Sequence, residues 1–162
     1  MPNPQLNLLL SLLDQSFDHQ SWHGTNLRGS IRGLDAATAA WRPGHNRHNI
    51  WELVLHAAYW KYTVHRRLLG EKRGSFQLKG SNWFTRPEGS ADEAAWKRDV
   101  ALLIETHQNL RHAISKLKDS DLGYIPPTSK FNNSTMITGI ASHDLYHAGQ
   151  IQLLKRLAST AK

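Results

Sequence analysis

Cysteine is absent from this sequence of 162 residues. Its absence excludes a disulfide framework, a zinc site built on thiolates and a cysteine nucleophile. Any thiol chemistry would therefore need a sulfur atom supplied by a small molecule. The lack of cysteine also fits a reducing compartment, and we expect a cytoplasmic protein.

Long hydrophobic runs are missing as well. The apolar stretch Leu6 to Leu13 is interrupted by Asn7 and Ser11, and it is far shorter than the roughly 20 apolar residues that cross a bilayer. The residues before it, Met1 to Gln5, lack the basic start of a signal peptide. We therefore expect no membrane span and no secretory leader.

Acidic residues are fewer than basic ones. The chain has 20 Lys and Arg against 13 Asp and Glu, a formal net charge of +7, which favours anionic partners in general. The densest basic stretch, Lys61 to Lys79, is interrupted by Gly70 and Gly74. A solvated basic surface is therefore the preferred interpretation, and nucleic acid is not expected as the partner.

Apolar residues recur at helical spacing, and glycine and proline cluster between these patterns, which argues against a sheet. The first predicted helix runs from Pro4 to Leu34, with a bend at Gly24. The second opens at Asn49, which forms a capping-box pattern with Glu52, and stops at Gly70.

The third predicted helix opens with a second capping-box pattern at Ser90, and the fourth runs from about Ser134 to Leu157. The loop of residues 71–89 contains Trp83 and Phe84, which could wall a pocket or dock on the bundle. Four amphipathic helices predict an all-α four-helix bundle that forms one domain over residues 1–162.

Three histidines occupy positions where the helical period calls for an apolar residue. His143 and His147 are four residues apart and share the inner face of the fourth helix, and His56 lies on the inner face of the second. A buried polar group without a partner costs about 1–3 kcal/mol. Hydrogen-bonded core histidines would solve this, and so would one divalent cation bound by three neutral imidazoles.

Three protein ligands leave a coordination position for water or substrate, which is typical of catalytic metal sites. Such a metal could lower the pKa of bound water or polarise a carbonyl or thiol. His107, Gln150 and His23 are candidates for residues that border or support the site. Asp144 could orient a ligand imidazole, but we expect its side chain to point sideways or outward. Imidazole ligands suit zinc, nickel, copper or iron, so the metal stays open.

Four segments of the chain form a recognisable set: Trp22-His23-Gly24, residues 48–56 (HNIWELVLH), Asn82-Trp83-Phe84 and residues 143–151 (HDLYHAGQI). Together they resemble the DinB-like (damage-inducible) superfamily of metal-binding bundles, over about residues 8–158. The resemblance implies an up-up-down-down style bundle, often dimeric, and a metal on the three histidines that match the motif, His56, His143 and His147. Relatives include bacillithiol transferases and the mycothiol-dependent maleylpyruvate isomerase, which use the metal to activate a low-molecular-weight thiol.

These observations predict a metal-dependent enzyme, a thiol-dependent transferase or isomerase or a hydrolase, that acts on a small molecule and forms a homodimer. The expected cofactor is a divalent ion (zinc, nickel or iron), with a low-molecular-weight thiol as an additional possibility. The alternative is a non-enzymatic, metal-stabilised stress-response or binding protein with an anionic partner. A third interpretation is a vestigial site in a bundle that only dimerises.

Overall fold

The computed structural model describes residues 3–72, 74, 76–86 and 92–160. These residues form six α-helices and a 3-10 turn at Asp119–Asp121, with no strand among them. The all-α prediction is confirmed. The four long helices are α1 (Pro4–Phe17), α4 (Ile50–Leu68), α5 (Glu93–Ser115) and α6 (Asn133–Thr160), and the two short ones are α2 (Leu27–Ile31) and α3 (Ala36–Ala40).

The prediction of one helix over residues 4–34 is wrong. The first helix ends at Phe17, and Gly24 takes a φ of 99° that no helix accommodates. Asn26 and Asp35 then begin two separate helices, because their side chains accept backbone N–H groups three residues ahead at 2.8 and 2.7 Å. The apolar spacing continues through this region, but the local caps divide it.

The later long helices begin where capping residues accept the first free backbone N–H groups. Asn49 and Glu52 form the predicted capping box, with the Asn49 side chain accepting the Glu52 N–H at 2.8 Å. Asp92 caps α5 by accepting the Ala95 N–H at 3.0 Å, whereas the predicted capping residue Ser90 lies outside the described residues. The last helix, α6, begins and ends within a few residues of its predicted bounds.

Two apolar clusters fill the bundle, one toward each end. One cluster joins α2, α3 and the N-terminal halves of α4 and α5 to the C-terminal half of α6. The other joins α1 and the last turns of α4 and α5 to the N-terminal half of α6. Between them each of α4, α5 and α6 buries a polar side chain, Lys61, His107 and Asp144 respectively, and we call these three residues the polar layer.

The same clusters give the direction of the long helices. Because α1 and α6 run one way and α4 and α5 the other, the chain order is up-down-down-up, and the up-up-down-down order implied by the resemblance is wrong. The Asp119 carboxylate near the end of α5 accepts the N–H groups of Gln5 and Leu6 at the start of α1, as this order requires. The connection between α4 and α5 is thus a crossover, long enough to let the two helices run parallel.

The crossover is docked on α4 by aromatic contacts. Phe84 is only 5% exposed, and its ring lies 5.7 Å from that of Tyr59 and 5.2 Å from that of Phe76. This docking brings Asn82 and Trp83 to the side of α4. None of the helices, over the residues described, combines the length and the hydropathy that a bilayer crossing would require.

Candidate metal centre

Three imidazole nitrogens meet between α4 and α6. His56 comes from α4, and His143 and His147 come from successive turns of α6. The Nε2 atom of His143 lies 3.1 Å from Nε2 of His56 and 3.0 Å from Nε2 of His147. His56 and His147 are buried and His143 is half-buried. The structure therefore brings together the three histidines that the sequence singled out.

Hydrogen bonds on the far side of two rings fix where their protons lie. His56 Nδ1 lies 2.8 Å from the carbonyl oxygen of Asn82, and His147 Nδ1 lies 2.6 Å from Oε1 of Gln150. Both oxygens can only accept, so each Nδ1 carries the proton and donates it. In a neutral ring the opposite nitrogen, Nε2, then bears a lone pair directed into the cluster.

His143 cannot satisfy both of these lone pairs. A neutral imidazole carries one N–H, so Nε2 of His143 can donate to His56 or to His147 but not to both. Its other nitrogen, Nδ1, is buried and has no hydrogen-bond partner within the described part of the chain. The three rings therefore leave unmatched lone pairs in a mostly buried space, which is unfavourable without a cation.

Protonation is a poor source of that cation. Burial lowers the pKa of His56 to about 4 and that of His143 to about 3, and it also lowers the pKa of His147. Repulsion between neighbouring rings adds to the effect at His56 and His143. At neutral pH the rings are uncharged, which is the form that binds metal ions.

The donor set fits a divalent metal ion. Zinc–nitrogen distances of about 2.0–2.1 Å with tetrahedral angles place ligand nitrogens roughly 3.3 Å apart, close to the 3.1 and 3.0 Å between the Nε2 atoms of the three histidines. Ligand imidazoles usually donate their second N–H to a carbonyl or amide oxygen, as His56 and His147 do. Three histidines alone would leave further coordination positions for water or substrate.

Trp83 covers one face of the centre. Its ring stacks on His56 with 3.9 Å between centroids, and on its other side it stacks on His48 at 3.6 Å. His147, Trp83 and His48 also line a cavity of about 360 Å³, within the usual size of small-molecule sites. Both predictions for Trp83 therefore hold: it packs against α4 through His56, and it forms one wall of the cavity.

A buried carboxylate organises the neighbouring surface. Glu52 accepts two hydrogen bonds from Arg42, at 2.6 and 2.8 Å, and lies 3.1 Å from His48 Nδ1. Burial alone would raise the pKa of Glu52, but these contacts and the backbone N–H of Arg86 together hold it below its usual value. Sequence reasoning treated Glu52 only as a helix cap and missed this role.

The polar layer forms a second buried cluster beside the histidines. Lys61 Nζ lies 2.5 Å from Asp144 Oδ2 and 3.2 Å from Nδ1 of His107, and the lysine and the aspartate are both fully buried. Burial lowers the pKa of Lys61 and raises that of Asp144, and their mutual attraction opposes both shifts. The expectation that Asp144 points sideways or outward is wrong, because α6 turns this residue toward Lys61.

The three predicted supporting residues have different positions. Gln150 contacts His147, as described above. His107 is buried as expected, but it belongs to the polar layer, with its ring stacked on Phe17 at 3.6 Å. His23 is exposed, with Ser21 Oγ 3.4 Å from its Nδ1, because the first helix ends before reaching it. Neither His107 nor His23 contacts the three central histidines in the described structure.

The fold and the site together define a helical bundle that carries a three-histidine candidate metal centre between its helices. A family model of the DinB superfamily matches residues 20–151, which include all three histidines. The chain belongs to the DinB superfamily. Neither the curated proteins nor the solved structures contain a significant match to it.

Proposed function

We propose that this protein binds one divalent metal ion on His56, His143 and His147 and uses it in the conversion of a small molecule, as a transferase, an isomerase or a hydrolase. The observation that supports the proposal is the cluster of three Nε2 atoms with 3.0 and 3.1 Å between neighbours. A bound divalent ion would supply a Lewis acid able to polarise a carbonyl or to lower the pKa of a coordinated water or thiol.

The protein's own residues have distinct tasks in this proposal. The Asn82 carbonyl and the Gln150 side chain hold the rings of His56 and His147 in one orientation. Trp83 shields one face of His56 from water, and the adjoining cavity gives the substrate a place beside His147. Because the chain has no cysteine, a thiol nucleophile would have to come from a small molecule, and water is the other attacking group that we propose.

Metal content is the first test. We expect protein purified without a tag or chelator to contain about one zinc, nickel or iron ion per chain by elemental analysis, and His147→Ala to lose it. His112→Ala is the matched control, since His112 is an exposed histidine on α5. Equal metal content in wild type and His147→Ala would rule out the assignment.

Turnover is the second test. The metal-loaded protein is incubated with a panel of electrophiles, with and without a low-molecular-weight thiol, and product formation is followed by mass spectrometry. Thiol conjugation or isomerisation supports a thiol-dependent enzyme, and thiol-independent cleavage supports a hydrolase. Each activity should disappear in His147→Ala and persist in His112→Ala.

The alternative is a non-enzymatic, metal-stabilised binding protein with an anionic partner, which the net charge of +7 favours. Filter binding with duplex DNA at several salt concentrations separates the two proposals. Phosphate contacts would make the affinity fall steeply with salt. Absence of salt-sensitive binding removes nucleic acid from consideration.

We also propose that the protein is a homodimer through the outer face of α6. Tyr146, Leu153 and Leu157 are 65, 59 and 42% exposed and follow one another at helical spacing along that face. Sedimentation should show a dimer that Leu153→Lys dissociates. The control is Leu8→Lys, because Leu8 is 72% exposed on α1; equal effects of both changes would contradict this interface.

A further inference from the structure

A groove begins beside His147, one of the three central histidines, and runs toward the N-terminal end of α4. The cavity that contains His147 shares Arg47, His48 and Trp83 with a second cavity of about 540 Å³. Because the same three side chains line both spaces, the cavities adjoin. A ligand with one end beside His147 can therefore extend along Trp83 to Arg47.

The walls nearest the histidines are largely apolar. Leu53, Leu154 and Trp83 line this part, and the exposed Tyr146 and Leu153, which also belong to the proposed dimer face of α6, form its outer rim. Trp83 is held in a fixed plane by stacking between His48 and His56. Such a surface suits the aromatic ring or alkyl chain of a ligand, because both are removed from water by flat apolar walls.

The charges in the groove are not all matched. Arg42 binds Glu52 through two hydrogen bonds, and Arg86 binds Asp99 at 2.9 and 2.8 Å. Arg47 differs from both, because it is exposed and its guanidinium has no hydrogen bond or ion pair with any described residue. Only its backbone carbonyl is used, as the acceptor of a hydrogen bond from Arg42.

We propose that this groove binds monocarboxylates that carry an aromatic or alkyl body, with the carboxylate on Arg47 and the other end directed toward His147. The proposal deepens the proposed function and rests on it for the role of the bound molecule. A guanidinium offers two parallel N–H donors that match the two oxygens of a carboxylate. One unmatched arginine balances one negative charge, which favours a carboxylate over a doubly charged phosphate.

The test uses 4-phenylbutanoate and its neutral amide as probes, with binding to zinc-loaded protein measured by titration calorimetry. We expect the acid to bind wild type roughly 10- to 100-fold more tightly than the amide, the effect of charge-assisted hydrogen bonds. Arg47→Gln should remove that preference and leave amide binding unchanged. Arg47→Lys should retain part of it, and Arg156→Gln, at an exposed position on α6, should retain all of it.

Three results would overturn the inference: equal binding of acid and amide by wild type, no measurable binding of either, or an acid preference that survives Arg47→Gln. If that surviving preference disappears in His147→Ala, the carboxylate sits on the metal, and the proposed function stands while the inference fails. Conversely, an Arg47-dependent preference that persists in His147→Ala supports the groove even where the metal proposal fails.

Discussion

Two buried polar clusters lie side by side in the bundle, and they differ in how their buried polar groups are balanced by charge. The polar layer contains its own cation, because Lys61 is ion-paired with Asp144 and also contacts His107. No described cation forms a hydrogen bond with the three central histidines, and their nitrogens face one another. A cluster that balances its own charge serves the fold, whereas one that needs a cation from outside is suited to bind a ligand.

The largest effect should come from breaking the balanced cluster. Lys61→Met removes the cation and leaves the Asp144 carboxylate buried without its partner, so we expect a loss of about 3–5 kcal/mol in the free energy of unfolding. Urea denaturation measures this change. The double variant Lys61→Met with Asp144→Leu should recover much of it, because neither charge then remains. A loss below about 1 kcal/mol in the single variant would contradict the comparison.

A change beside the histidine cluster should lower metal affinity and leave the free energy of unfolding nearly unchanged. Gln150→Leu removes the acceptor that orients His147, and we expect metal affinity to fall about 10- to 100-fold with little change in unfolding. Competition with a chromophoric chelator measures the affinity. Gln152→Leu is the control, because Gln152 lies on the same helix as Gln150 and its side chain donates to Thr25, which lies before α2 and away from the centre. Equal losses in both variants would mean that the contact with His147 has no special role.

Acid should destabilise the metal-free protein through the histidine cluster, and also through His107 of the polar layer, whose pKa burial lowers to about 2. The pKa values of His56 and His143 are lowered to about 4 and 3, from an ordinary value of about 6.5. Below pH 6.5 the unfolded chain therefore binds protons that the folded chain excludes. Stability is complete above that pH and is lost as the pH falls toward 4, by up to about 1.4 kcal/mol per pH unit for each such group.

Urea unfolding at pH values from 7.5 to about 4.5 measures this slope. His143→Leu should reduce it by close to one proton, because a leucine has nothing to titrate. A slope that is identical in wild type and variant would show that His143 does not resist protonation in the folded chain.

The smallest effect concerns the loop that supports the centre. Trp60 donates its indole N–H to the side-chain oxygen of Asn82 at 2.9 Å. Trp60→Phe removes this hydrogen bond and shortens a ring that also lies edge-on to His56 and His143. We expect a loss of about 0.5–1.5 kcal/mol in unfolding free energy. Trp41→Phe is the matched control, because Trp41 is a half-buried tryptophan outside this loop. A metal affinity that falls as far as in Gln150→Leu would contradict this ranking and show that Trp60 supports the centre as strongly as Gln150 does.

The sequence predicted the parts of the fold that periodicity governs. The last three long helices follow from apolar spacing and capping residues, and the histidines at positions 56, 143 and 147 stand out because they interrupt that spacing. The first helix was predicted too long, because its stripe continues past Phe17 by coincidence. The caps at Asn26 and Asp35 were visible in the sequence and were the signal to divide it.

The polar layer was harder to predict. Lys61 follows Ala57 by four residues and precedes Val64 by three, so its inward direction could have been read from helical spacing. The positions of His107 and Asp144 around Lys61 could not have been predicted from helical spacing. Their contacts join three helices and depend on how those helices pack. The covering of His56 by Trp83 depends in the same way on where the crossover docks.

Asn82 couples the order of the crossover to the binding of an ion at His56. It adopts a φ of 66°, a left-handed conformation that asparagine tolerates better than most residues. In this conformation its backbone carbonyl accepts a hydrogen bond from His56 Nδ1. An ion that immobilises this ring would also stabilise the loop, and reciprocity requires that whatever orders the loop tightens the hold on the ion. Occupancy would then be detectable as slower amide hydrogen exchange in a segment that supplies no ligand.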